Sequence, residues 1–455
     1  MSNVILFRLL TPEDFGLFVI PLVVISFVRI LQDFGFTTLV VRSNELSYRE
    51  VSSIFWFVGF SGLLFACLVF LISPLVSSWT QEPSSAEINR YLSITVFFTG
   101  LYAVQESIIR KKLDFKRLFI VDSFSGILSS AAGIMAAIGG MGFHSLTLKY
   151  ISMVFISMIG FQYYSRWRPG LIFESSALKK NLHYHLPISG EQILNFAQRN
   201  IDNVLISRFL GTISMGLYDR AYRILMFPLQ QISNSFGKVM LPAFSRIQHD
   251  RAKIGHYHLM VCRFVALVSF PLMVGIFCTA PYFVRVVFGH QWLDIIPLVK
   301  VFSILGLFQS IGTLSLPVFQ STGDTSLLFR LSLFSKTLML IAISIGVLYY
   351  KNINAVAVCY LCASLIAFIP ESFYVCKSVR ITVSKFIFNL LPFFTSAVVM
   401  GSVINLLLSL AALHLNDLWV MLVMALIGAV VYFSILILIK DKTLTEVRAL
   451  LTNRK

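Results

Sequence analysis

Charge stands in this chain where an apolar helix should carry none. Glu191 to Arg223 reads EQILNFAQRNIDNVLISRFLGTISMGLYDRAYR, inside a sequence that is 57% hydrophobic and only 13% charged. At 100° per residue, Glu191, Asn195, Arg199 and Asp202 fall within an arc of about 80° and form one polar stripe. On the next predicted helix Asp219, Arg223, Gln230 and Asn234 share an arc of about 60°, with Arg220, Gln231 and Lys238 at its edge. An ionisable group at membrane depth costs at least ~2.5 kcal/mol, so such groups normally face a bundle interior or a water-filled cavity. Two stripes on neighbouring helices predict a polar chamber inside the bilayer. The arginines there supply forked donors suited to an anion. The amides supply neutral hydrogen-bonding groups, for a ligand or for a neighbouring helix.

The elements that carry these stripes are membrane helices. Mean hydropathy is +0.82, and at ~20 apolar residues per crossing the chain predicts thirteen spans. Two of them, 186–209 and 214–241, hold the stripes; later ones include 292–321 and 326–350. Val4 to Leu10 is an apolar stub too short to cross. The longest connection runs from Ser165 to His185, which leaves no room for a soluble domain. Lys and Arg collect on alternate loops, 23 on one side and 6 on the other. By the positive-inside rule the rich side is cytoplasmic, including 110–117, 165–185, 245–258 and the tail after Lys440. The net charge of +16 is therefore a topology signal and does not point to nucleic acid. The cysteines at 67, 262, 278, 359, 362 and 376 all fall in predicted helices. The Cys359–Cys362 pair has no His or carboxylate neighbours, so it reads as structural. No metal or cofactor is expected, and no cleavable signal peptide is visible.

An internal repeat orders the spans. Arg8 to Phe18 reads RLLTPEDFGLF and Arg208 to Tyr218 reads RFLGTISMGLY. Arg8/Arg208, Leu10/Leu210, Gly16/Gly216 and Leu17/Leu217 match, and Phe18 stands opposite Tyr218. Both copies sit on the same side of the membrane, as a parallel duplication of two lobes demands. Arg208 is preceded by a full helix and Arg8 by seven residues. By analogy a first helix of roughly 15–25 residues is expected upstream, giving fourteen spans with both termini cytoplasmic.

RLLTPEDFG at 8–16, SRWRP at 165–169, RNIDNVLISRFLG at 199–211, GLYDRAYRILMFPLQ at 216–230 and LPAFSRIQ at 241–248 resemble the polysaccharide biosynthesis transporters. These are the lipid-linked oligosaccharide flippases of bacterial O-antigen, capsule and exopolysaccharide pathways. They sit in the multidrug/oligosaccharidyl-lipid/polysaccharide exporter superfamily, and the resemblance runs from residue 4 to about 440. It implies an all-α polytopic membrane protein with two parallel-repeat lobes around a central cavity that opens alternately to each side. The N-terminal lobe would be 1–164, followed by a cytoplasmic connection at 165–185. The C-terminal lobe would be 186–376, with two additional helices in 377–440 and a cytoplasmic tail at 441–455. The implied substrate is an undecaprenyl-pyrophosphate-linked oligosaccharide in the inner membrane. A polysaccharide polymerase and a chain-length regulator are the implied protein partners, with membrane lipid around the bundle.

On that resemblance Arg199, Arg220 and Arg223 are the favoured cations for a pyrophosphate, followed by Arg29 and Lys336. Asp202, Glu191, Asn195, Gln230 and Asn234 complete the expected cavity set. The structural alternative stays open for each. Arg199 has Asp202 at i+3 and Glu191 nearby as ion-pair partners. Arg220 and Arg223 stand close enough to a helix start to snorkel to the interface. Arg208 reads as an interfacial anchor. Glu106, Asp122, Glu191, Asp202 and Glu371 are the acids available for ion coupling, and none stands out. Pro228, beside the second stripe, is the foremost candidate for a bending point. A polymerase or ligase of the same pathway would need an acid or base in a sizeable outer loop, and the outer loops are short. A drug exporter for cations would prefer an acidic cavity, whereas this one reads as basic. The chain is expected to be a transporter and not an enzyme.

Overall fold

The computed structural model describes residues 2–42, 46–410 and 416–439. Within these, the side chains of 42, 175–191, 194, 195, 197–199, 227, 230, 233–235, 238, 239 and 325 are outside the description. All described regular structure is helical. The helices are α1 (Ser2–Leu9), α2 (Pro12–Asp33), α3 (Phe36–Arg42), α4 (Tyr48–Thr80), α5 (Pro83–Lys111), α6 (Phe115–Ile138), α7 (His144–Ser165) and α8 (Ser175–Arg246). Beyond them follow α9 (Arg251–Val287), α10 (Ile296–Gly312), α11 (Ser315–Thr322), α12 (Thr325–Ser344), α13 (Ile353–Ser378), α14 (Val383–Leu410) and α15 (Asp417–Leu438). Eleven segments among the described residues are long and apolar enough to cross a membrane. The two arms of α8, which carry the polar stripes, are not among the eleven. Where one helix was expected over 292–321 the chain breaks into α10 and α11, and the span at 326–350 ends in a wider turn over Ile345–Tyr350.

Local chemistry starts these helices where the sequence changes from polar to apolar. Thr11 accepts from the Asp14 amide at 3.2 Å while the Asp14 carboxylate accepts from the Thr11 amide at 2.9 Å, with Pro12 in the first turn of α2. Ser47 and Glu50 form the same reciprocal cap on α4. Each arrangement satisfies two amides that a helix start would otherwise leave bare. Gly211 breaks α8 with φ 81°, a conformation that costs a residue with a Cβ but not glycine.

The chain divides into two compact units, Met1–Gly216 and Leu217–Lys455. In the N-terminal unit α4 lies along α5, α6 along α7, and α2 and α7 both pack on α5. The repeat copies meet within this unit. A methyl group on Gly16 would overlap the Thr212 carbonyl, and one on Gly216 would overlap the Pro12 carbonyl. Pro12 and Thr212, like Gly16 and Gly216, are 200 residues apart. The positions that match in sequence are therefore the positions where the two backbones cross. In the C-terminal unit α9 is central and packs on α10, α14 and α15, while α13 packs on α10 and α12.

Candidate functional site

The N-terminal unit places one arginine among neutral groups. Arg29, nearly at the end of α2, donates to the Tyr150 hydroxyl at 3.0 Å and to the Tyr102 hydroxyl at 3.4 Å. Both phenols are fixed by packing. Tyr102 is buried and stacks on Phe161 at 5.4 Å, and Tyr150 meets the edge of Phe18 at 6.1 Å. One turn further along α2, buried Gln32 donates to the Val58 carbonyl at 3.3 Å. Among the described residues no carboxylate forms an ion pair with Arg29. The guanidinium is oriented by dipoles that leave its charge intact.

The C-terminal unit solves the same problem with an acid. GLYDRAYR begins the second arm of α8, and its apolar face, Tyr218, Ala221 and Leu225, is buried. Tyr218 and Tyr222 stack at 6.4 Å, and each meets the edge of Phe302 of α10. This packing fixes the rotation of the helix and sets Asp219 inward, 4% exposed. Arg223 Nε donates to Asp219 Oδ1 at 2.6 Å, and Arg220 lies 3.0 Å from Asp219 Oδ2. The side chain of Arg223 is 58% exposed and that of Arg220 17%, so the two cations sharing one acid differ in access. Of the readings open for Arg220 and Arg223, the structure shows the ion-pair one in place: both are tied to Asp219.

The remaining expected residues are scattered. Asp202 is partly buried and accepts the Asn203 amide at 2.8 Å. Lys336 is an exposed residue of α12. Glu191, Asn195, Arg199, Gln230 and Asn234 lie outside the described side chains. Arg208 donates to the Trp79 carbonyl at 3.0 Å and covers its indole at 5.6 Å, as suits an interfacial anchor. Of the acids considered for coupling, Glu106 is bonded to Arg110 at 2.6 Å one turn away. Sequence reasoning placed Asp219 on the polar stripe but missed its role as the shared partner. Tyr102 and Tyr150 gave no signal, because they lie 73 and 121 residues from Arg29 and carry no charge.

Two ion-pair clusters hold the ends of the C-terminal unit. Arg285 grips Asp417 with two bonds of 2.9 Å, joining α9 to the start of α15. At the other end Asp324 gathers Ser378, Thr322 at 2.9 Å and Arg251 at 3.4 Å. Partial burial works to raise the Asp324 carboxyl, but the Ser378 and Thr322 hydrogen bonds and the Arg251 charge outweigh it and hold it below the usual carboxylate range. The six cysteines are free thiols, and no cluster among the described residues could hold a metal.

The family described as polysaccharide biosynthesis protein matches residues 5–297. Lipopolysaccharide biosynthesis protein WzxC of Escherichia coli (strain K12) is 26% identical over 348 residues, covering 75% of this chain and 70% of that protein. Succinoglycan biosynthesis transport protein ExoT of Rhizobium meliloti (strain 1021) is 23% identical over 443 residues, covering 97% of this chain and 89% of that protein. Among solved structures, lipid II flippase MurJ in an inward closed conformation matches with a TM-score of 0.75. The match covers 97% of this chain and 96% of that one at 17% identity, a likeness of fold.

Proposed function

The chain belongs to the polysaccharide biosynthesis protein family, and from that premise we propose that it is a flippase for lipid-linked oligosaccharides. Its substrate is an undecaprenyl-pyrophosphate-linked repeat unit, carried across the bacterial inner membrane for O-antigen, capsule or exopolysaccharide synthesis. Transport proceeds by alternating access, and the protein makes and breaks no covalent bond. The similarity to succinoglycan biosynthesis transport protein ExoT supports the substrate class.

One observation carries the reading: Arg29 is a membrane-helix cation whose described partners are two phenols. Burying an ionised group with no counter-ion is expensive, and a structural arginine would be given an acid, as the more buried Arg220 is. Arg29 keeps a full positive charge and a fixed orientation, the properties needed to bind a pyrophosphate through paired N–H donors. Arg199, from its place on the first stripe, is a further proposed phosphate contact. In the C-terminal unit Arg223, exposed beside Asp219, is proposed as an anion contact in its own right. Asp219 limits the net charge around Arg223, so the phosphate binds there less tightly and can leave. That balance is what a carrier requires, because a site that held the anion equally well throughout would not release it.

The test is transport of a lipid-linked oligosaccharide in proteoliposomes. Arg29→Ala should abolish it, and Arg29→Lys should keep part, because an ammonium attracts phosphate without the forked geometry. Undiminished transport by the Arg29→Ala, Arg223→Ala double variant would overturn the assignment.

A further inference from the structure

The outer face of the N-terminal unit carries a groove that the transport reading does not use. It runs between α6 and α7, has a volume of about 440 Å³, and is lined by Ile120, Phe124 and Leu128 on one side and Ile156, Ile159 and Gly160 on the other. Phe124 is 59% exposed and Ile159 52%, so this face lies open to its surroundings. At its end stands a second cavity of about 480 Å³ lined by Arg117, Arg166, Arg168, Tyr163 and Tyr164. Tyr163 and Tyr164 line both, so the apolar groove and the basic cup are continuous.

The cup is built, not merely a cluster of surface charge. The chain leaves α7 through a left-handed Arg166, φ 53°, with Arg166 and Arg168 exposed and Trp167 partly buried. Trp167 packs against Phe55 at 5.9 Å and Tyr48 at 6.2 Å. The Tyr48 hydroxyl donates to the Arg168 carbonyl at 2.9 Å, and Trp56 Nε1 donates to the Gly170 carbonyl at 2.8 Å. The Gly170 and Glu174 amides donate to Ser52 and Ser53 at 3.1 and 2.8 Å. This segment is fastened to α4 along its length, so the two guanidinium groups are presented at a fixed height. Arg117 faces them from the first turn of α6, where its Nε lies 3.2 Å from Asp114. Three arginines against one acid leave the cup positive.

We propose that the groove and cup hold one anionic phospholipid of the cytoplasmic leaflet. Its phosphodiester sits on Arg166, Arg168 and Arg117, with one acyl chain along α6 and α7. The Lys and Arg distribution places this end of the helices at the cytoplasmic surface, where anionic lipid head groups meet basic pockets between helices. Length selects the occupant. From Ile120 to Leu128 the groove extends about 12 Å at 1.5 Å per residue. That is within one leaflet of a hydrocarbon core ~30 Å thick, and far short of a long polyprenyl chain. The two tyrosines line both cavities and so stand at their junction, the level at which interfacial tyrosines are found.

Native mass spectrometry of the purified protein with equimolar phosphatidylglycerol and phosphatidylcholine of identical chains tests this. The parent should retain phosphatidylglycerol about tenfold in preference, as expected for a basic pocket reading a charged head group. The double variant R166Q/R168Q alters two exposed side chains, so it keeps the fold, and it should lose the preference. Ile159→Trp should fill the groove and lower retention of both lipids while Arg166 and Arg168 remain. An unchanged preference in R166Q/R168Q overturns the site. Displacement of phosphatidylglycerol by equimolar undecaprenyl pyrophosphate overturns the occupant, because the groove would then belong to the substrate.

Discussion

Arg29 in the N-terminal unit and Arg220 in the C-terminal unit meet the same physical difficulty and resolve it in opposite ways. Both are cations on helices of an apolar bundle. Arg29 is held at 3.0 and 3.4 Å by the phenols of Tyr150 and Tyr102, whereas Arg220 and Arg223 share the buried carboxylate of Asp219. A phenol orients a guanidinium without neutralising it; a carboxylate does both. On the proposed function, the difference separates Arg29, a charge kept for a ligand, from Arg220, a charge matched within the protein. It also predicts that the two regions respond differently to mutation, one through stability and the other through transport.

The largest effect should fall on Asp219. Asp219→Ala leaves Arg220 inside the bundle without its acid, and removing one member of a buried ion pair costs about 3–5 kcal/mol. Thermal unfolding in detergent should show this, and Arg220→Met in the same chain should restore much of the loss. If Asp219→Ala unfolds at the parental temperature, the acid is not structural and the contrast with Arg29 collapses.

Next comes Arg29. Arg29→Met removes two hydrogen bonds to neutral groups, so stability should fall by only about 1–2 kcal/mol. Transport in proteoliposomes should fall about a hundredfold, equivalent to about 2.7 kcal/mol of lost binding in the transport cycle. Tyr102→Phe and Tyr150→Phe should each reduce transport less, because the charge remains and only its orientation loosens. Equal losses of stability in Arg29→Met and Asp219→Ala would show that both arginines are structural.

A smaller effect is expected one turn before Asp219. Gly216 crosses Gly16 so closely that a methyl group on either meets a backbone carbonyl of the other segment. Gly216→Ala should therefore cost about 1–3 kcal/mol by forcing the backbones apart. Gly16→Ala should cost a similar amount, because the crossing is symmetrical in sequence. Unequal costs in unfolding experiments would mean that the repeat is similar in sequence but not in load.

These particular residues show what was legible before the structure. Apolar runs and alternating Lys and Arg gave the helical class and the ends of most helices, because burial in a bilayer acts on composition over ~20 residues at once. The break at Gly211 falls between the predicted helices 186–209 and 214–241, whereas the cap at Thr11–Asp14 went unread. The Gly16/Gly216 match was visible as a repeat, but its meaning as a crossing needed three dimensions. Asp219 lay on the stripe, yet stripe geometry cannot say which of two flanking cations an acid holds, and here it holds both. The phenols of Tyr102 and Tyr150 were invisible. Neutral partners contributed by distant helices leave no pattern among 16 tyrosines.

The smallest effect belongs to an acid at the surface, and it sharpens the contrast by adding solvent. Asp324, like Asp219, accepts from an arginine, but its side chain is 29% exposed and its other partners are the hydroxyls of Ser378 and Thr322. Those partners hold its carboxyl below the usual range. A group whose folded value is depressed contributes stability that is fully present above the unfolded value, near 3.8 here. That contribution is lost as pH falls through the folded value. Unfolding followed from pH 7 downward should therefore show a loss of stability in acid that is absent from Asp324→Asn. At pH 7 the variant should be only slightly less stable, since solvent screens a half-exposed pair. The loss from Asp219→Ala should exceed it several-fold. If Asp324→Asn and the parent fall together in acid, the ties to Ser378, Thr322 and Arg251 carry no net energy, and the acid sensitivity lies elsewhere.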